Sequence, residues 1–253
     1  MPYNTSDGAI TTLSKVPQIT LAFWVMKICA TTLGETAGDL LSMTLNIGYA
    51  LSSLLLIAIF FVTLAAQLAS RKFHPLLYWA VILSTSTAGT TMSDYMDRTL
   101  ALGYAQGSLI LVAILASILT LWRVTIGNLS VDNIHTFKVE IFYWSAILFS
   151  NTLGTALGDF LADSSGLGFA GGALLISGVM AVIILAYFCT KISRTLLFWA
   201  AFVLTRPLGA TVGDLLTKMH EKGGLGLGTV GSSVVLFAML VALIVITSKQ
   251  KTK

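Results

Sequence analysis

Charge is scarce in this sequence: only 10% of the 253 residues are charged, whereas 56% are hydrophobic. Charged residues make up about a quarter of an ordinary soluble domain, so the composition excludes that class. Apolar stretches of about 20 residues, the length of a transmembrane helix, recur along the chain. The sequence therefore predicts an all-α integral membrane protein in contact with the lipid bilayer. The net charge of +4 is too small and too dispersed to indicate a nucleic-acid partner.

Residues that bind metals or form disulfides are also few. The two cysteines, Cys29 and Cys189, lie inside apolar stretches, which excludes a disulfide framework and a CxxC metal site. The three histidines, His74, His135 and His220, fall in predicted loops on different sides of the membrane, so a shared metal site is not expected. The sequence has no serine-nucleophile motif, no H-E-x-x-H and no phosphate-binding loop. We therefore predict a protein that is not an enzyme and has no cofactor.

Hydrophobicity predicts eight transmembrane helices, at residues 18–40, 48–70, 75–97, 102–123, 139–161, 167–190, 194–216 and 227–248. The basic residues outside these spans favour one side of the membrane. Ten fall on that side, namely Lys15, Arg71, Lys72, Arg123, Lys138, Lys191, Arg194, Lys249, Lys251 and Lys253. Three fall on the other side, namely Arg98, Lys218 and Lys222. The positive-inside rule therefore predicts that the N- and C-termini are both cytoplasmic.

One motif occurs four times in the chain. An aromatic–Trp pair precedes an aspartate by fifteen residues, which links Trp24 to Asp39, Trp79 to Asp94, Trp144 to Asp159 and Trp199 to Asp214. Each aspartate ends a G-x-x-x-[GS]-D segment. Nine residues later, Gly-aromatic-Ala follows in three copies, while the fourth has a looser Gly226-Leu227-Gly228 after an insertion. We interpret each copy as a two-helix hairpin.

The spacing of the copies divides the chain into two halves. The aspartates are 55, 65 and 55 residues apart, so the longest interval contains the polar stretch 124–138. We predict a first half of residues 1–125, with repeats 16–70 and 71–125, and a second half of residues 126–253, with repeats 136–190 and 191–248. Each repeat has an even number of spans, so all four copies are parallel. We expect two four-helix halves, pseudo-symmetric about the membrane normal.

With four G-x-x-x-G-D copies in register, the chain resembles a bacterial family of uncharacterised membrane-anchored proteins built from a repeat of unknown function. Ser93, in place of the second glycine of copy two, is a mild departure. The resemblance covers nearly the whole chain. It implies a multi-pass protein of the bacterial inner membrane, and it supplies no substrate or mechanism for this chain. Function has to be argued from the residues.

The aspartates are the candidate site, because ionisable groups inside spans are costly and usually face a cavity or a partner. Helical periodicity places them on one face with hydroxyl side chains. We predict an ion- or substrate-binding site formed by Asp39, Asp94, Asp159, Asp214, Glu35, Thr32, Thr87, Thr90, Thr152 and Thr155. The tryptophans share this polar face, so Trp24, Trp79, Trp144 and Trp199 are predicted to line a cavity. Such oxygen ligands favour protons or hard ions over copper or zinc.

Two functions fit this face. In the first, the carboxylates converge and bind a cation or proton in a small secondary transporter or permease. In the second, each aspartate caps the start of its partner helix, and the repeats are structural clasps of a non-transporting scaffold. A carrier of anions or neutral solutes that uses Lys27 and Arg206 ranks third. The sequence is compatible with an oligomer.

Lys27 and Arg206 lie inside spans and stand where the other copies have uncharged residues. Five intramembrane acids against these two bases leave a deficit of three positive charges. Burial of that imbalance would be costly. We predict that both residues are internal counter-ions, with Lys27 reaching Glu35 and Arg206 reaching an acid on its own or an adjacent helix.

Overall fold

A computed structural model of the protein describes residues 15–70, 72–131, 134 and 136–250. Arg71, His135, Lys251 and Lys253 lie outside these residues, as do the extreme ends of the two predicted halves. The described chain is all-helical. Its eight long helices are α1 Leu21–Asp39, α2 Tyr49–Ala69, α3 Pro75–Asp94, α4 Gly103–Ile126, α5 Phe137–Asp159, α6 Gly168–Cys189, α7 Arg194–Thr217 and α8 Thr229–Gln250. Each of these helices overlaps one of the eight predicted segments.

The helix starts follow from local sequence. The side chain of Thr20 accepts a hydrogen bond from the backbone N–H of Phe23 and caps α1, and Thr136 caps α5 through Val139 in the same way. Pro75 opens α3, where its missing N–H costs nothing because the first turn has no intrahelical acceptor. The capping residues therefore set where these motif helices begin.

The four motif helices form a closed inner ring. Helix α1 packs against α3, α3 against α5, α5 against α7, and α7 returns to α1. The contacts repeat in register: Gly34 faces Ser86, Gly89 faces Asn151, Gly154 faces Arg206 and Gly209 faces Thr31. Each pair joins the first glycine of a motif to the residue eight positions before the next aspartate. The ring therefore has an approximate fourfold axis parallel to its helices.

The outer helices correct our interpretation of each copy as a hairpin. Helix α2 packs along α3, α4 along α5, α6 along α7, and α8 along α1. Each outer helix thus covers the first helix of the following copy, and the last one closes onto the first copy. The linker between the two helices of one copy therefore carries the chain sideways, so that the second helix lies over the neighbouring inner helix.

Three of the four linkers share an unusual geometry that the sequence did not reveal. A five-residue π-helical turn follows the aspartate in three copies, at Leu40–Thr44, Tyr95–Thr99 and Phe160–Ser164. The next helix then starts beside a glycine with positive φ, namely Gly48, Gly103, Gly168 or Gly228. Residues with a Cβ rarely adopt that conformation, which explains the glycine of the Gly-aromatic-Ala element. In copy four, a 3₁₀ helix at His220–Lys222 replaces the π-helical turn.

At the ring end opposite the aspartates, the aromatic pairs form a second closed cycle, which we call the aromatic layer. The ring centroids are 5.8 Å apart for Phe23–Trp79, 5.6 Å for Tyr78–Trp144, 6.4 Å for Tyr143–Trp199 and 5.8 Å for Phe198–Trp24. Three of these tryptophans are buried and Trp24 is half-buried. Trp79 and Trp199 also border surface cavities. The four tryptophans therefore pack between inner helices.

Five helices are long and apolar enough to cross a membrane: α2, α4, α6, α7 and, over Thr229–Lys249, α8. Large apolar side chains are exposed along α2, α4, α6 and α8. The prediction of eight spans is therefore met by composition for five helices. Helices α1, α3 and α5 are rich in threonine, serine and glycine and form part of the inner ring, covered by outer helices, so their composition reflects burial against protein rather than contact with lipid.

Candidate ion-binding site

Four layers of side chains stack along the ring, because residues four apart lie on one helix face. The acidic layer contains Asp39, Asp94, Asp159 and Asp214. Four residues earlier, the threonine layer contains Glu35, Thr90, Thr155 and Ala210. The arginine layer then contains Thr31, Ser86, Asn151 and Arg206, and the lysine layer contains Lys27, Ile82, Ile147 and Phe202. All sixteen residues are buried.

The acidic layer brings carboxylates close together. The four aspartates are only 1–4% exposed. Oxygens of Glu35, Asp39 and Asp214 all lie within 4.8 Å of one another. Three carboxylates at that separation repel strongly unless positive charge compensates them. The structure thus assembles part of the predicted acidic cluster and requires a counter-charge.

Two basic residues that we had assigned only to external loops supply most of that charge. Lys218 Nζ lies 2.5 Å from Asp39 Oδ2 and 3.1 Å from Asp214 Oδ1. Arg98 Nε lies 2.8 Å from Asp94 Oδ1, and its Nη2 lies 3.2 Å from Asp159 Oδ2. Each base therefore bridges two aspartates on neighbouring inner helices.

The sequence did contain a signal for these bridges. Arg98 and Lys218 stand four residues after their own aspartates, the spacing at which oppositely charged residues meet on a helix. Copies one and three have Met43 and Asp163 at that position. The bridging bases thus alternate around the ring.

The bridging bases are held in the charged form. Burial by itself lowers the pKa of the Lys218 ammonium, but the carboxylates of Asp214 and Asp39 outweigh burial and keep the pKa above its ordinary value. Burial likewise lowers the pKa of the Arg98 guanidinium, and Asp94 and Asp159 raise it by more. Both bases are therefore permanent positive charges at neutral pH.

Tyrosines of the Gly-aromatic-Ala elements complete the surroundings of Arg98. Its guanidinium carbon lies 6.0 Å from the ring centroid of Tyr49 and 5.7 Å from that of Tyr104. The Tyr104 hydroxyl donates a hydrogen bond of 3.1 Å to Asp163 Oδ2. These rings attract the cation through their π faces. The element therefore contributes to the charged end of the ring as well as to helix packing.

Arg206 makes the kind of ion pair that the sequence predicted. Its Nη2 lies 2.9 Å from Glu35 Oε2 and donates to Thr90 Oγ1 at 2.5 Å and Thr155 Oγ1 at 2.6 Å. The side chain starts on α7 and contacts α1, α3 and α5, so the guanidinium lies across the ring axis. One buried arginine thus joins all four inner helices directly below the acidic layer.

Lys27 does not reach Glu35, and that prediction is wrong. Its Nζ lies 3.4 Å from Asn151 Oδ1 and 4.2 Å from the centroid of the Phe202 ring. No ion pair involves Lys27 within the described residues. Eight residues, about 12 Å along a helix, separate it from Glu35, and Arg206 occupies the layer between them. The two predicted counter-ions therefore have different surroundings.

The predicted threonines divide into two groups. Thr90 and Thr155 accept hydrogen bonds from Arg206, as described above. The hydroxyls of Thr32, Thr87 and Thr152 donate instead to backbone carbonyls of their own helices, at Ile28, Leu83 and Leu148. Such bonds satisfy a hydroxyl that lies inside a helix packing surface. The structure therefore gathers the acids and two threonines around the bases.

The fold and this site define the class of the protein: a helical bundle of internal repeats, with apolar outer helices suited to a membrane and a buried charged core. The chain belongs to the family described as Repeat of Unknown Function (DUF347), which matches residues 22–73, 77–127, 142–193 and 197–252. The inferred resemblance to a family built from a repeat of unknown function is thereby confirmed. No curated protein and no solved structure matches the chain.

Proposed function

We propose that the protein is a small permease of the bacterial inner membrane, a secondary transporter that moves a cation or couples transport to protons. The observation that supports this function is the convergence of the Glu35, Asp39 and Asp214 carboxylates within 4.8 Å inside a buried ring. Lys218 pairs with both Asp39 and Asp214, and Arg206 pairs with Glu35, so the three carboxylates carry one negative charge more than their two bases. The mutual repulsion of the carboxylates makes a bound positive charge favourable.

In this proposal all eight helices cross the membrane and both termini are cytoplasmic. The helices contain 19–24 residues, which suits a hydrocarbon core of about 30 Å. The inner helices tolerate their polar residues because these residues are shielded from lipid by the outer helices and by the neighbouring inner helices. The acidic layer then faces the periplasmic side and the aromatic layer the cytoplasmic side.

The charge balance of the layers indicates the kind of ion. The four layers and the two bridging bases contain five acids, Glu35 and the four aspartates, and four bases, Lys27, Arg98, Arg206 and Lys218. The formal deficit is therefore one positive charge, smaller than the three derived from the sequence. A proton or a monovalent cation would neutralise it. Oxygen ligands suit such hard ions better than soft metals.

Ion flux into proteoliposomes tests this function. Purified protein is reconstituted, and uptake of Na⁺, K⁺ and protons is measured for the wild type and for Asp39→Asn and Asp214→Asn. We expect each variant to lose flux while its yield of folded protein is kept, since asparagine keeps the size and an acceptor oxygen. Glu221→Gln is the control, because Glu221 is an exposed acid outside the cluster.

The clasp function is the second candidate, and the bridges of Lys218 and Arg98 favour it because each ties neighbouring inner helices together. Within the described residues, these side chains bind the aspartates in place of the backbone N–H groups assumed from the sequence. A wild-type protein that moves none of the tested ions, with asparagine variants that are only less stable, would support the scaffold and contradict the permease.

A further inference from the structure

The ion bridges divide the inner ring unequally. Lys218 joins α7 to α1 and Arg98 joins α3 to α5, and we call these the bridged seams. The seams between α1 and α3 and between α5 and α7 are the open seams, and in the described part of the chain no ion pair joins those helices. Bridged and open seams alternate around the ring.

Further polar contacts strengthen each bridged seam, while Lys27 of α1 donates to Asn151 of α5 between the two sides. Across the α3–α5 seam, the Tyr78 and Tyr143 hydroxyls are 2.7 Å apart and Asn151 donates to Thr85. On the other side, Thr31 donates to the Thr205 carbonyl, and Ser233 of α8 donates to Thr36 of α1. One body therefore comprises α2–α5, and the second comprises α6, α7, α8 and α1. Each body combines helices from both halves of the sequence.

At the aromatic end, the two bodies are tied together. Phe23 packs on Trp79 across the first open seam, and Tyr143 packs on Trp199 across the second. Lys15 Nζ, just before α1, also lies 2.6 Å from Glu140 Oε1 of α5. Aromatic pairs and a shielded ion pair resist separation of the bodies at this end.

At the acidic end, hydrogen bonds and side-chain packing cross the open seams, and among the described residues no ion pair does. Arg206 donates there to the uncharged oxygens of Thr90 and Thr155. Thr90 Oγ1 also donates to the Gly34 carbonyl at 3.1 Å across the α1–α3 seam, and Gly158 packs on Ala210 across the α5–α7 seam. Pro207 lies at the α5–α7 open seam against Gly154 and has no backbone N–H, so α7 lacks a helical hydrogen bond at this point. The open seams are therefore weakest beside the aspartates.

From this division we propose that the protein opens by a pivot of the two bodies on the aromatic layer, which separates the open seams at the acidic end and exposes the carboxylates. The inference rests on the proposed function only in assigning this opening as the route to the ion site. The hydrogen bonds of Arg206 to the two threonines and of Thr90 to the Gly34 carbonyl break in the open form, while both ion bridges persist. Transport and opening are thus separately measurable.

Thiol labelling at one repeated position tests the pivot. Thr32, Thr87 and Thr152 occupy the same motif position in copies one, two and three. The Thr32 carbonyl lies against Gly213 in the α7–α1 bridged seam, and Thr152 lies against Gly89 in the α3–α5 bridged seam. The same register assigns Thr87 to the α1–α3 open seam. The exposures of Thr32, Thr87 and Thr152 are 3%, 7% and 0%, so each needs an opening to react. In a background with Cys29 and Cys189 replaced by alanine, we expect Thr87→Cys to react with a maleimide about tenfold faster than the other two cysteines.

Removal of an ion bridge should convert its bridged seam into an open seam. We expect Lys218→Met to raise the labelling rate of Thr32→Cys about tenfold and to leave Thr152→Cys unchanged, and Arg98→Met to do the reverse. Gel filtration of each variant confirms the fold. Equal rates at Thr87, Thr32 and Thr152, or acceleration of both bridged-seam probes by either variant, would overturn the two-body division. If Lys218→Met does not fold, Lys218→Gln serves in its place.

The labelling result does not depend on the ion. A wild-type protein without flux but with fast Thr87→Cys labelling would contradict the permease and keep the pivot. Flux that is sensitive to the aspartates, combined with equal labelling, would keep the permease and contradict the pivot.

Discussion

Gly209→Ala tests the close approach of α7 to α1 on which the ring depends. A Cβ at Gly209 would lie 2.5 Å from Thr31 Oγ1 and 2.7 Å from the Thr31 carbonyl carbon. Ordinary contacts at such a Cβ begin at 3.4 Å, so the helices would have to separate by 0.7 Å or more. The obstacle includes backbone, which a side-chain rotation cannot remove.

The expected magnitude follows from two opposing effects. Overpacking of a tight interface costs about 1–3 kcal/mol, whereas alanine favours a helix over glycine by about 0.5–1 kcal/mol. We therefore expect Gly209→Ala to lower the free energy of unfolding by about 1–2 kcal/mol. The separation would also strain the Arg206–Glu35 ion pair one turn away.

Unfolding by SDS in mixed micelles, followed by tryptophan fluorescence, measures the change because the aromatic layer reports on the inner ring. Gly178→Ala in α6 is the matched control, since a Cβ there would meet nothing within 4 Å. It should be neutral or stabilising by up to about 1 kcal/mol. A Gly209→Ala protein as stable as Gly178→Ala would refute the argument that backbone contact at this glycine sets the helix spacing.

Three further predictions use the same unfolding measurement. Ala101→Gly should raise the free energy of unfolding by about 1 kcal/mol, because an alanine at φ 56° is strained. Gly166→Ala at the equivalent position, with φ 78°, should lower it by a similar amount. Two variants that are both as stable as the wild type would contradict this. Lys218→Met should lose about 3 kcal/mol by leaving two buried carboxylates unpaired, while the exposed Lys222→Met stays within about 0.5 kcal/mol of wild type. Because the folded pKa of Lys218 is raised, its contribution to the free energy of unfolding is complete below the ordinary lysine pKa of about 10.4. That contribution is lost as pH rises through the folded pKa, and the Lys218→Met protein should not show this loss. Lys27→Ile should be neutral or stabilising, because this buried ammonium has one long hydrogen bond and two other copies carry isoleucine there; a loss above about 2 kcal/mol would show a stronger role.

Much of the fold was accessible from the sequence because the signals are local. Helix length, apolar stretches and the fourfold motif lie within about 25 consecutive residues, and helical periodicity converts them into faces. The same periodicity identified the buried acids. It also indicated that Arg206, as a charge among uncharged counterparts, needs an acid partner, and Glu35 fills that role.

The tertiary structure decided which helices meet. A linker after Asp39 is compatible with α2 folding back on α1 or passing over α3, and only the packing of the whole ring selects the second. Ion pairing depended on that choice, since Lys218 reaches Asp39 across 179 residues of sequence because α7 and α1 close the ring. Lys27 is directed to Asn151 for the same reason: Arg206 fills the layer between Lys27 and Glu35. Composition and period are properties of neighbouring residues, whereas these contacts depend on how helices distant in sequence share limited buried space.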